Sequence, residues 1–378
     1  QKGQGIVEVE TYHHQVRFPR QVFRSVDSFI NESFLLGQIQ KGVYAPGEVI
    51  PAERELADKL GVSRYTVRRA IQELVDEGIL YRVQGNGTFV HERKRSAHSR
   101  SNSIGIVLPL CDAEMEMLLL NGMQRALRET KYSMTLLVSN NDSEKELEEI
   151  RHLRDEQVSG LVIMPSQEPR GGLAAYELKK DGFPFVLVDR RVPGCETDCV
   201  MSDNIQGGSL ATEYLLDLGH ERIAFVKHES DQTSSMKDRF VGYQQALCKR
   251  GLGDGLMFSL TRDGGPSEFK ALLDEYTAIV AVNGYVAVDV VKMCRELGVV
   301  IPDDLSIVSF DDLSITRLLD VPLTAVAQYS EMIGYRAVKL LLEKIEIQQR
   351  LEPGKPVYFT QYYYPTKLVE RQSCQALR

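Results

Sequence analysis

The sequence lacks any run of about 18 consecutive apolar residues, which is the length that a helix needs to cross a bilayer. Its opening residues, QKGQGIVEVETYHHQ, also lack the hydrophobic core of a secretion signal. Together these absences predict a soluble, cytoplasmic protein with no membrane partner.

Cysteine is sparse, and the spacings typical of metal sites are missing. Six cysteines are scattered over 378 residues, without CxxC pairs and without the density of a secreted disulfide scaffold. The closest pair, Cys195 and Cys199, could not complete a tetrahedral metal shell alone. We therefore expect reduced thiols, no metal and no cofactor.

Common catalytic signatures are absent as well. The sequence has no P-loop GxxxxGK[ST], no GxSxG elbow and no HExxH motif, so we do not expect an enzyme. The formal net charge is −8 at pH 7, so the chain as a whole does not attract nucleic acid. Any nucleic-acid binding must come from a local basic surface.

A basic, serine-rich stretch divides the chain. Residues 91–103, HERKRSAHSRSNS, contain no large apolar side chain and are typical of a solvated linker. They separate a small N-terminal domain, residues 26–90, from a large domain, residues 104–374. The signals in residues 1–25 are too weak to predict a structure.

Apolar runs alternate with amphipathic helical patterns beyond the linker. Runs such as SIGIVLPL, SGLVIMP, FPFVLVD, ERIAFVK and TAIVAVN are typical of parallel strands that are buried on both faces and joined by crossover helices. About 270 residues are too many for one small sheet. The pattern predicts a large, doubly wound α/β domain.

The segment GVSRYTVRRAIQELVDEGIL has an apolar stripe at helical spacing. The stripe recurs at i, i+3, i+4 and i+7 and consists of Val67, Ala70, Ile71 and Leu74. This periodicity predicts a helix over about 64–76. Its outer face carries cationic and hydrogen-bonding side chains, namely Tyr65, Arg68, Arg69 and Gln72.

A shorter helix is predicted just upstream. PAERELADKL reads as a helix begun by Pro51, with Glu53 near its positive end. Gly61 breaks the chain, and Ser63 is placed to cap the next helix. Two short helices joined by a tight turn predict a helix-turn-helix. Downstream, ILYRVQGNGTFV alternates around the Gly-Asn-Gly at 85–87, which predicts a hairpin wing.

In a winged helix-turn-helix the second helix enters the DNA major groove, where Arg reads guanine and Tyr, Thr and Gln reach phosphates or base edges. The outer face of the predicted helix suits that task. The alternative is a solvated face with internal ion pairs, since Arg69 and Glu73 stand at i, i+4.

Residues 46–90 resemble the winged helix-turn-helix of GntR-family regulators nearly end to end. The resemblance implies that Arg54, Arg64 and Arg68 contact DNA, with Thr66 near the backbone and the wing tip at the minor groove. Tyr65 departs from the family, which often has a smaller residue there. The predicted DNA-binding set is Arg54, Ser63, Arg64, Tyr65, Thr66, Arg68, Gln72, Gln84, Gly85, Asn86 and Gly87.

Polar residues follow several predicted strands of the large domain. Asp189, Asn283 and Asp311 come directly after such strands, where open α/β sheets bind ligands, and Arg239 opens the helix after ERIAFVK and its loop. An Arg fork opposite carboxylates suits the hydroxyls of a sugar. The alternative is that Asp189 or Asp311 merely caps a turn, as Asp commonly does.

The large domain resembles the effector domain of LacI/GalR regulators, which is similar to periplasmic sugar-binding proteins. The likeness runs over 103–373 and includes VLVDRRVPG, LDLGHERIAFV and LGVVIPDDLSIVSFDD. It implies two subdomains, dimerisation through this domain, and a cleft with an effector-binding set of Asp189, Arg239, Asn283, Asp311 and Gln328. The family usually has Asn-Asp where this chain has Asn283-Gly284, so the ligand is not fixed by the likeness.

The predicted fold class is therefore α/β with a small α+β N-terminal domain. The predicted function is that of a ligand-responsive transcriptional repressor, a homodimer that binds operator DNA and a sugar-like effector, similar to the arabinose-responsive repressors. The alternative is a solute-binding protein without a role in transcription, which shares the large domain's fold. The DNA-binding pattern and the missing signal core favour the regulator.

Overall fold

The protein is described by a computed structural model that divides into two compact units, residues 1–98 and 99–378. The described residues are 35, 38, 43–45, 47–76, 79–83, 86–90, 101–111, 113–168, 170–261, 266–350 and 359–377. Gln84, Gly85, most of the predicted linker and the first residues of the predicted N-terminal domain lie outside them. The two units are described separately below.

The described part of the N-terminal unit comprises two helices and a hairpin, which are α1 (Glu53–Leu60), α2 (Arg64–Asp76), β1 (Leu80–Val83) and β2 (Gly87–Val90). The hairpin is antiparallel, with Leu80 opposite Val90. All four residues of the apolar stripe on α2 are buried, as the periodicity predicts. Burying a side chain the size of valine, isoleucine or leucine contributes about 1.5–3 kcal/mol, so burial of this stripe fixes the outer face of α2 toward solvent.

The turn between α1 and α2 uses the residues that the sequence indicates. Gly61 adopts φ 67° and ends α1, and Ser63 Oγ accepts a hydrogen bond of 3.1 Å from the N–H of Thr66. The prediction that Pro51 begins α1 was wrong by two residues. Ala52 is extended (φ −58°, ψ 150°), so the first helical residue is Glu53.

The large unit contains two lobes, each built on a six-stranded sheet with helices on both faces. Its first half consists of β3 (Ser101–Leu108), α3 (Glu114–Leu127), β4 (Ser133–Val138), α4 (Ser143–Asp155), β5 (Val158–Ile163), α5 (Leu173–Lys180), β6 (Phe185–Val188) and β7 (Cys199–Ser202). The rest consists of α6 (Asn204–Asp217), β8 (Ile223–His228), α7 (Ser234–Lys249), β9 (Leu256–Leu260), α8 (Pro266–Glu275), β10 (Ala278–Ala281), α9 (Gly284–Leu297), β11 (Ser306–Phe310), α10 (Ser314–Arg317), β12 (Thr324–Ala327), α11 (Ser330–Arg350), β13 (Gln361–Tyr364) and β14 (Lys367–Val369).

The strand order is β13-β7-β6-β5-β3-β4 in the first lobe and β14-β12-β11-β10-β8-β9 in the second. Every pairing is parallel except that of β12 with β14. Strands β5, β6, β10 and β11 are buried along their whole length, as expected for parallel strands covered on both faces. The doubly wound α/β prediction is confirmed.

Along the described residues the chain passes between the lobes after β7, after β12 and after β13. These crossovers are joined to one another. Asp203 N donates to the carbonyl of Tyr364 at 2.7 Å, and Ser202 Oγ donates to Oε1 of Gln328. The hinge between the lobes is therefore a connected set of three segments.

The large unit extends beyond the predicted boundaries at both ends. Strand β3 already begins at Ser101, so residues 101–103 belong to the sheet and not to the linker. These polar residues belong to β3 through its pairing with β4 and β5, and Ser103 Oγ also lies 2.9 Å from Oγ1 of Thr135 on β4. At the other end, Leu377 N donates to the carbonyl of Leu218 at 2.8 Å.

Helices α6 and α7 approach closely on the second lobe. A Cβ on Gly208 would lie 2.0 Å from the carbonyl oxygen of Arg239, and one on Gly242 would lie 2.0 Å from that of Ile205. Only glycine permits this contact, which fixes Arg239 against α6. No helix among the described residues is both long and apolar enough to span a membrane.

Candidate effector cavity and nucleic-acid interface

A cavity with about 590 Å³ of empty space, part of it open to solvent, lies between the two lobes of the large unit. The first lobe lines it with Met115, Glu116, Gln167, Asp189 and Arg190. The second lobe contributes Asp231, Thr233, Ser235, Met236, Arg239, Val282, Asn283, Tyr285, Asp311 and Leu313.

Arg239 is buried and held on several sides. Its Nε donates to Oδ1 of Asn204 at 2.9 Å, and its Nη1 donates to the carbonyl of Val282 at 2.7 Å. The guanidinium lies 3.7 Å from the ring centroid of Phe310 and 3.7 Å from Oδ2 of Asp311. Burial raises the pKa of Asp311, and the nearby Arg239 charge opposes that rise. The result is a fixed donor fork beside a carboxylate.

A second acid–guanidinium pair follows β6 on the opposite wall. Arg190 Nε donates to Oδ2 of Asp189 at 3.0 Å, and both residues are buried. Arg190 Nη1 is a buried donor without a hydrogen-bond partner among the described residues. Such a donor costs free energy unless a ligand or water accepts from it. It is therefore available to an acceptor in the cavity.

Asp189 and Asp311 occupy equivalent places at the ends of their strands. Both have left-handed backbones, with φ 66° and φ 69°. The described hydrogen bonds of their carboxylates are with the side chains of Arg190 and Gln328, not with the backbone N–H groups that a turn cap would use. The alternative prediction, that each merely caps a turn, has no support in these contacts.

Asn283 lines the cavity and also caps α9, since its Oδ1 accepts from the N–H of Val286 at 2.9 Å. The following glycine is explained by packing. A Cβ on Gly284 would lie 2.7 Å from Cδ1 of Leu313, another lining residue. Leu313 thus occupies the space that the first atoms of an Asp side chain would need.

Gln328 is not among the lining residues. Its Nε2 donates to Oδ1 of Asp311, and its Oε1 accepts from Ser202. The structure therefore brings Asp189, Arg239, Asn283 and Asp311 together around the cavity, with Gln328 behind Asp311. From there Gln328 connects the cavity to the hinge.

The second candidate site is the outer face of α2 in the N-terminal unit. Arg54, Arg64, Tyr65 and Arg68 are exposed, with Tyr65 at 74%. Arg68 Nε donates to Oε2 of Glu53 on α1 at 2.9 Å, and this ion pair raises the pKa of Arg68. These exposed cations are accessible to a polyanion such as DNA.

Three of the predicted DNA contacts also have partners within the N-terminal unit. Gln72 Oε1 accepts from Nη1 of Arg82 at 2.9 Å, and Ser63 Oγ lies 2.7 Å from Oγ1 of Thr66. At the wing, Asn86 is exposed and Gly87 adopts φ 115°. Arg69 pairs with Glu73 at 3.2 Å, as the alternative prediction for that residue proposed.

Comparison with known families identifies both units. Residues 34–90 match the bacterial regulatory proteins of the gntR family, and residues 212–374 match the periplasmic binding protein-like domain. The chain is 32% identical over 339 residues to the arabinose metabolism transcriptional repressor of Geobacillus stearothermophilus, which covers 86% of this chain and 92% of that protein. The chain belongs to this repressor family. It is a regulator of transcription and not an enzyme, as predicted.

Solved structures confirm the fold of the repressor's large unit. A LacI family regulator from Enterococcus faecalis, solved with bound ribose, is 25% identical with a TM-score of 0.61, covering 73% of this chain and 100% of that chain. The regulator CcpA of Lactococcus lactis is 26% identical with a TM-score of 0.62, covering 72% and 99%. Membership of the repressor family leaves no support for a solute-binding protein without a role in transcription.

Sequence reasoning missed several residues of the repressor's cavity. Arg190 could have been found, because it directly follows Asp189 after a buried strand. Gln167 could not have been found in this way, because its position depends on a loop that is hydrogen-bonded to Glu146 on α4. Glu146 accepts from the N–H groups of Ser166 (2.5 Å) and Gly172 (2.7 Å) at the two ends of that loop.

Contacts between the lobes flank the cavity at two places. Nη2 of Arg191, in the loop after β6, lies 2.5 Å from Oδ2 of Asp238 on α7. Oε2 of Glu114, on α3, accepts from the N–H of Ser314 at 2.6 Å, and its Oε1 lies 3.2 Å from Nη2 of Arg317. We call these contacts the Arg191 latch and the Glu114 latch. Both exist only while the lobes are close together.

Proposed function

We propose that this repressor binds operator DNA as a homodimer and responds to a small sugar that occupies the cavity between its lobes. In this proposal residues 26–90 contain the DNA-binding module, and the described unit from Ser101 to Leu377 binds the effector. A regulator of this kind acts on the chromosome, in the cytoplasm. One observation carries the proposal: two buried arginines, each beside an aspartate, meet at one cavity.

The polar groups of the cavity match the chemistry of a sugar. A hydroxyl both donates and accepts, so a ring of hydroxyls needs fixed donors next to fixed acceptors. Arg239 and Asp311 supply such a pair from one lobe, and Arg190 and Asp189 supply another from the facing lobe. A ligand that contacts both pairs stabilises the closed arrangement of the lobes.

The relatives point to the same ligand class. The similar Geobacillus protein is named for arabinose metabolism, and the similar Enterococcus regulator contains ribose. Both compounds are five-carbon sugars. The two sugars differ in the orientation of their hydroxyls. The departure from the family at Asn283-Gly284 removes one acceptor from the cavity and would change which of these orientations is preferred.

DNA recognition is proposed for the exposed side chains of α2 and the wing, with Arg54, Arg64 and Arg68 as the principal contacts. A single winged helix reads too few base pairs for strong specificity, so two copies on a pseudo-palindrome are expected. Dimerisation is assigned to the large unit. Sedimentation of residues 101–378 expressed alone should show a dimer, and a monomer would contradict this part of the proposal.

A thermal-shift experiment with L-arabinose, D-ribose and D-xylose tests the sugar proposal. A sugar that binds only the folded state at a hundredfold excess over Kd adds about 3 kcal/mol to the free energy of unfolding, which raises the midpoint. Arg239→Ala should abolish this increase, and Arg239→Lys should weaken it because lysine lacks the donor fork.

Arg250→Ala is the matched control, because Arg250 follows the same helix and pairs with Asp217 on the surface. It should keep the wild-type increase in midpoint. If no sugar raises the midpoint of the wild type, the sugar proposal is overturned. If Arg239→Ala responds like the wild type, the effector binds elsewhere.

A further inference from the structure

Glu116 is a buried carboxyl of the cavity that the sugar-binding argument has not used. Glu116, the third residue of α3, is 6% exposed and lines the cavity beside Met115. No described side chain donates a hydrogen bond to it. The charged groups that act on it are Asp189 and Arg190 from the loop after β6, and Asp311 from the end of β11.

The charge balance of the lining leaves Glu116 without a counter-ion. Among the residues that the structure describes, four carboxyl groups and two guanidinium groups line the cavity. Each guanidinium already faces an aspartate, Arg190 at 3.0 Å and Arg239 at 3.7 Å. The fourth carboxyl, that of Asp231, accepts from the N–H of His228 at 3.1 Å.

The environment therefore favours the protonated form of Glu116. Burial raises the pKa of Glu116 to about 7, and the charges of Asp189 and Asp311 add to the rise. The N–H of Glu116 itself and the charge of Arg190 oppose it. Near neutral pH the group is thus a mixture of an acid that can donate a hydrogen bond and a carboxylate that cannot.

We propose that Glu116 determines which effector the cavity accepts: its protonated carboxyl exchanges hydrogen bonds with hydroxyls of an uncharged polyol, and anionic sugars are rejected. The inference rests on the proposed function, that a sugar occupies this cavity. A sugar phosphate would bring negative charge toward the carboxylates of Asp189, Asp231 and Asp311, and the charge of each lining arginine is already opposed by one of these aspartates. An uncharged sugar faces no such repulsion.

Proton uptake follows from this role. A bound polyol removes the remaining water from Glu116, so the protonated form is more favoured in the complex than in the free protein. Binding then takes up a proton wherever free Glu116 is ionised. Affinity is constant well below pH 7 and falls as the pH rises above it, by up to about tenfold per pH unit. Asp311 also faces Glu116 and also has a raised pKa, but the charge of Arg239 opposes the rise in the pKa of Asp311.

Calorimetry on the full chain tests the proposal with D-ribose, L-arabinose and D-ribose 5-phosphate as probes, at about pH 6 and about pH 8.5. Titrations in two buffers of different ionisation enthalpy count the protons taken up. The wild type should bind a neutral sugar more weakly at the higher pH, with uptake approaching one proton. Glu116→Gln should bind equally at both pH values, because the amide permanently resembles the protonated acid in shape and charge.

Asp231→Asn is the control, since Asp231 is the other lining carboxyl that has no arginine partner. It should keep the wild-type pH dependence, whatever its affinity. The proposal is overturned if Glu116→Gln keeps that dependence, if the wild type takes up no proton at the higher pH, or if D-ribose 5-phosphate binds as tightly as the neutral sugars. Absence of binding by any neutral sugar at either pH would instead overturn the sugar-binding function itself.

Discussion

At the scale of single residues, the repressor holds the side chains proposed to contact DNA in place before DNA arrives. Arg68 lies 60% exposed on α2, yet Glu53 on the neighbouring helix accepts from it at 2.9 Å. Glu53 also lies 3.8 Å from Arg82 at the wing. One acidic residue therefore orients cations from two elements, which reduces the side-chain entropy lost when DNA binds.

Arg68→Ala should lower operator affinity roughly ten- to hundredfold if the side chain reads a base. Arg69→Ala is the matched control on the same helix, because Arg69 is partly buried and engaged with Glu73; it should have a smaller effect. Both can be measured by fluorescence anisotropy at one salt concentration, on duplexes selected from a random pool. Equal losses in the two variants would contradict the assignment of Arg68.

The sequence predicted the residues on each functional face better than their partners. The apolar stripe of α2 follows from a local period, and the polar residues after strands follow from the geometry of parallel sheets. Glu53 is 15 positions from Arg68, and Glu116 is 73 positions from Asp189. Their proximity arises only when separate elements pack together, so no local pattern could reveal it.

At the scale of elements, the start of α4 determines the shape of one cavity wall. Glu146 is almost fully buried, and its two oxygens accept from the N–H groups of Ser166 and Gly172. Asn141 Oδ1 accepts from the N–H of Gln167 at 2.7 Å. Burial raises the pKa of Glu146, and the two N–H groups oppose that rise. The loop that places Gln167 in the cavity is thus fastened at three points.

Glu146→Ala should leave two buried N–H groups without acceptors and lower the free energy of unfolding by about 1–3 kcal/mol for each of them. Sugar affinity should fall as well, because Gln167 is no longer held. Asp142→Ala is the control: Asp142 caps the same helix at the surface, and its loss costs about 1 kcal/mol without changing the cavity. Urea unfolding and calorimetry measure the two effects, and an unchanged sugar affinity in Glu146→Ala would refute the positioning role.

Element boundaries were predicted less well than element types. Helix α2 follows the sequence prediction, whereas α1 begins two residues after Pro51 and β3 begins inside the predicted linker. Ser101 and Asn102 look like linker residues by composition. They are ordered because β3 pairs with β4 and β5, and such pairing overrides local propensity.

At the scale of the whole large unit, the two latches and the effector act on the same equilibrium. The Arg191 latch and the Glu114 latch join the lobes directly, and Gln328 joins the cavity residue Asp311 to the crossover at Ser202. A sugar that binds both Arg190 and Arg239 favours the closed state in the same way, because it adds polar contacts that join the two lobes. Its influence on DNA binding is limited by its differential affinity for the two states.

Removing both latches should therefore open the lobes in the absence of sugar. In the double variant Glu114→Ala, Asp238→Ala the closed state loses contacts that the open state never had, so the population shifts toward the open state. Two exposed cysteines, Cys111 on the first lobe and Cys248 on the second, are suitable sites for spin labels. The distance between labels should increase in the double variant.

Asp217→Ala is the matched control for the latches, because Asp217 pairs with Arg250 within the second lobe and does not join the lobes. Its label distance should equal that of the wild type. Since closure precedes or accompanies sugar binding, the double variant should also bind sugar more weakly, in proportion to the closed fraction that it loses. A saturating sugar should restore the wild-type distance in the double variant, because the ligand supplies the contacts between lobes that the latches no longer make. If the label distance does not change when the latches are removed, the latches do not hold the lobes closed. Other contacts must then do so, such as the hydrogen bond of 2.8 Å from the N–H of Arg191 to Oγ of Ser234 and the crossover at Gln328.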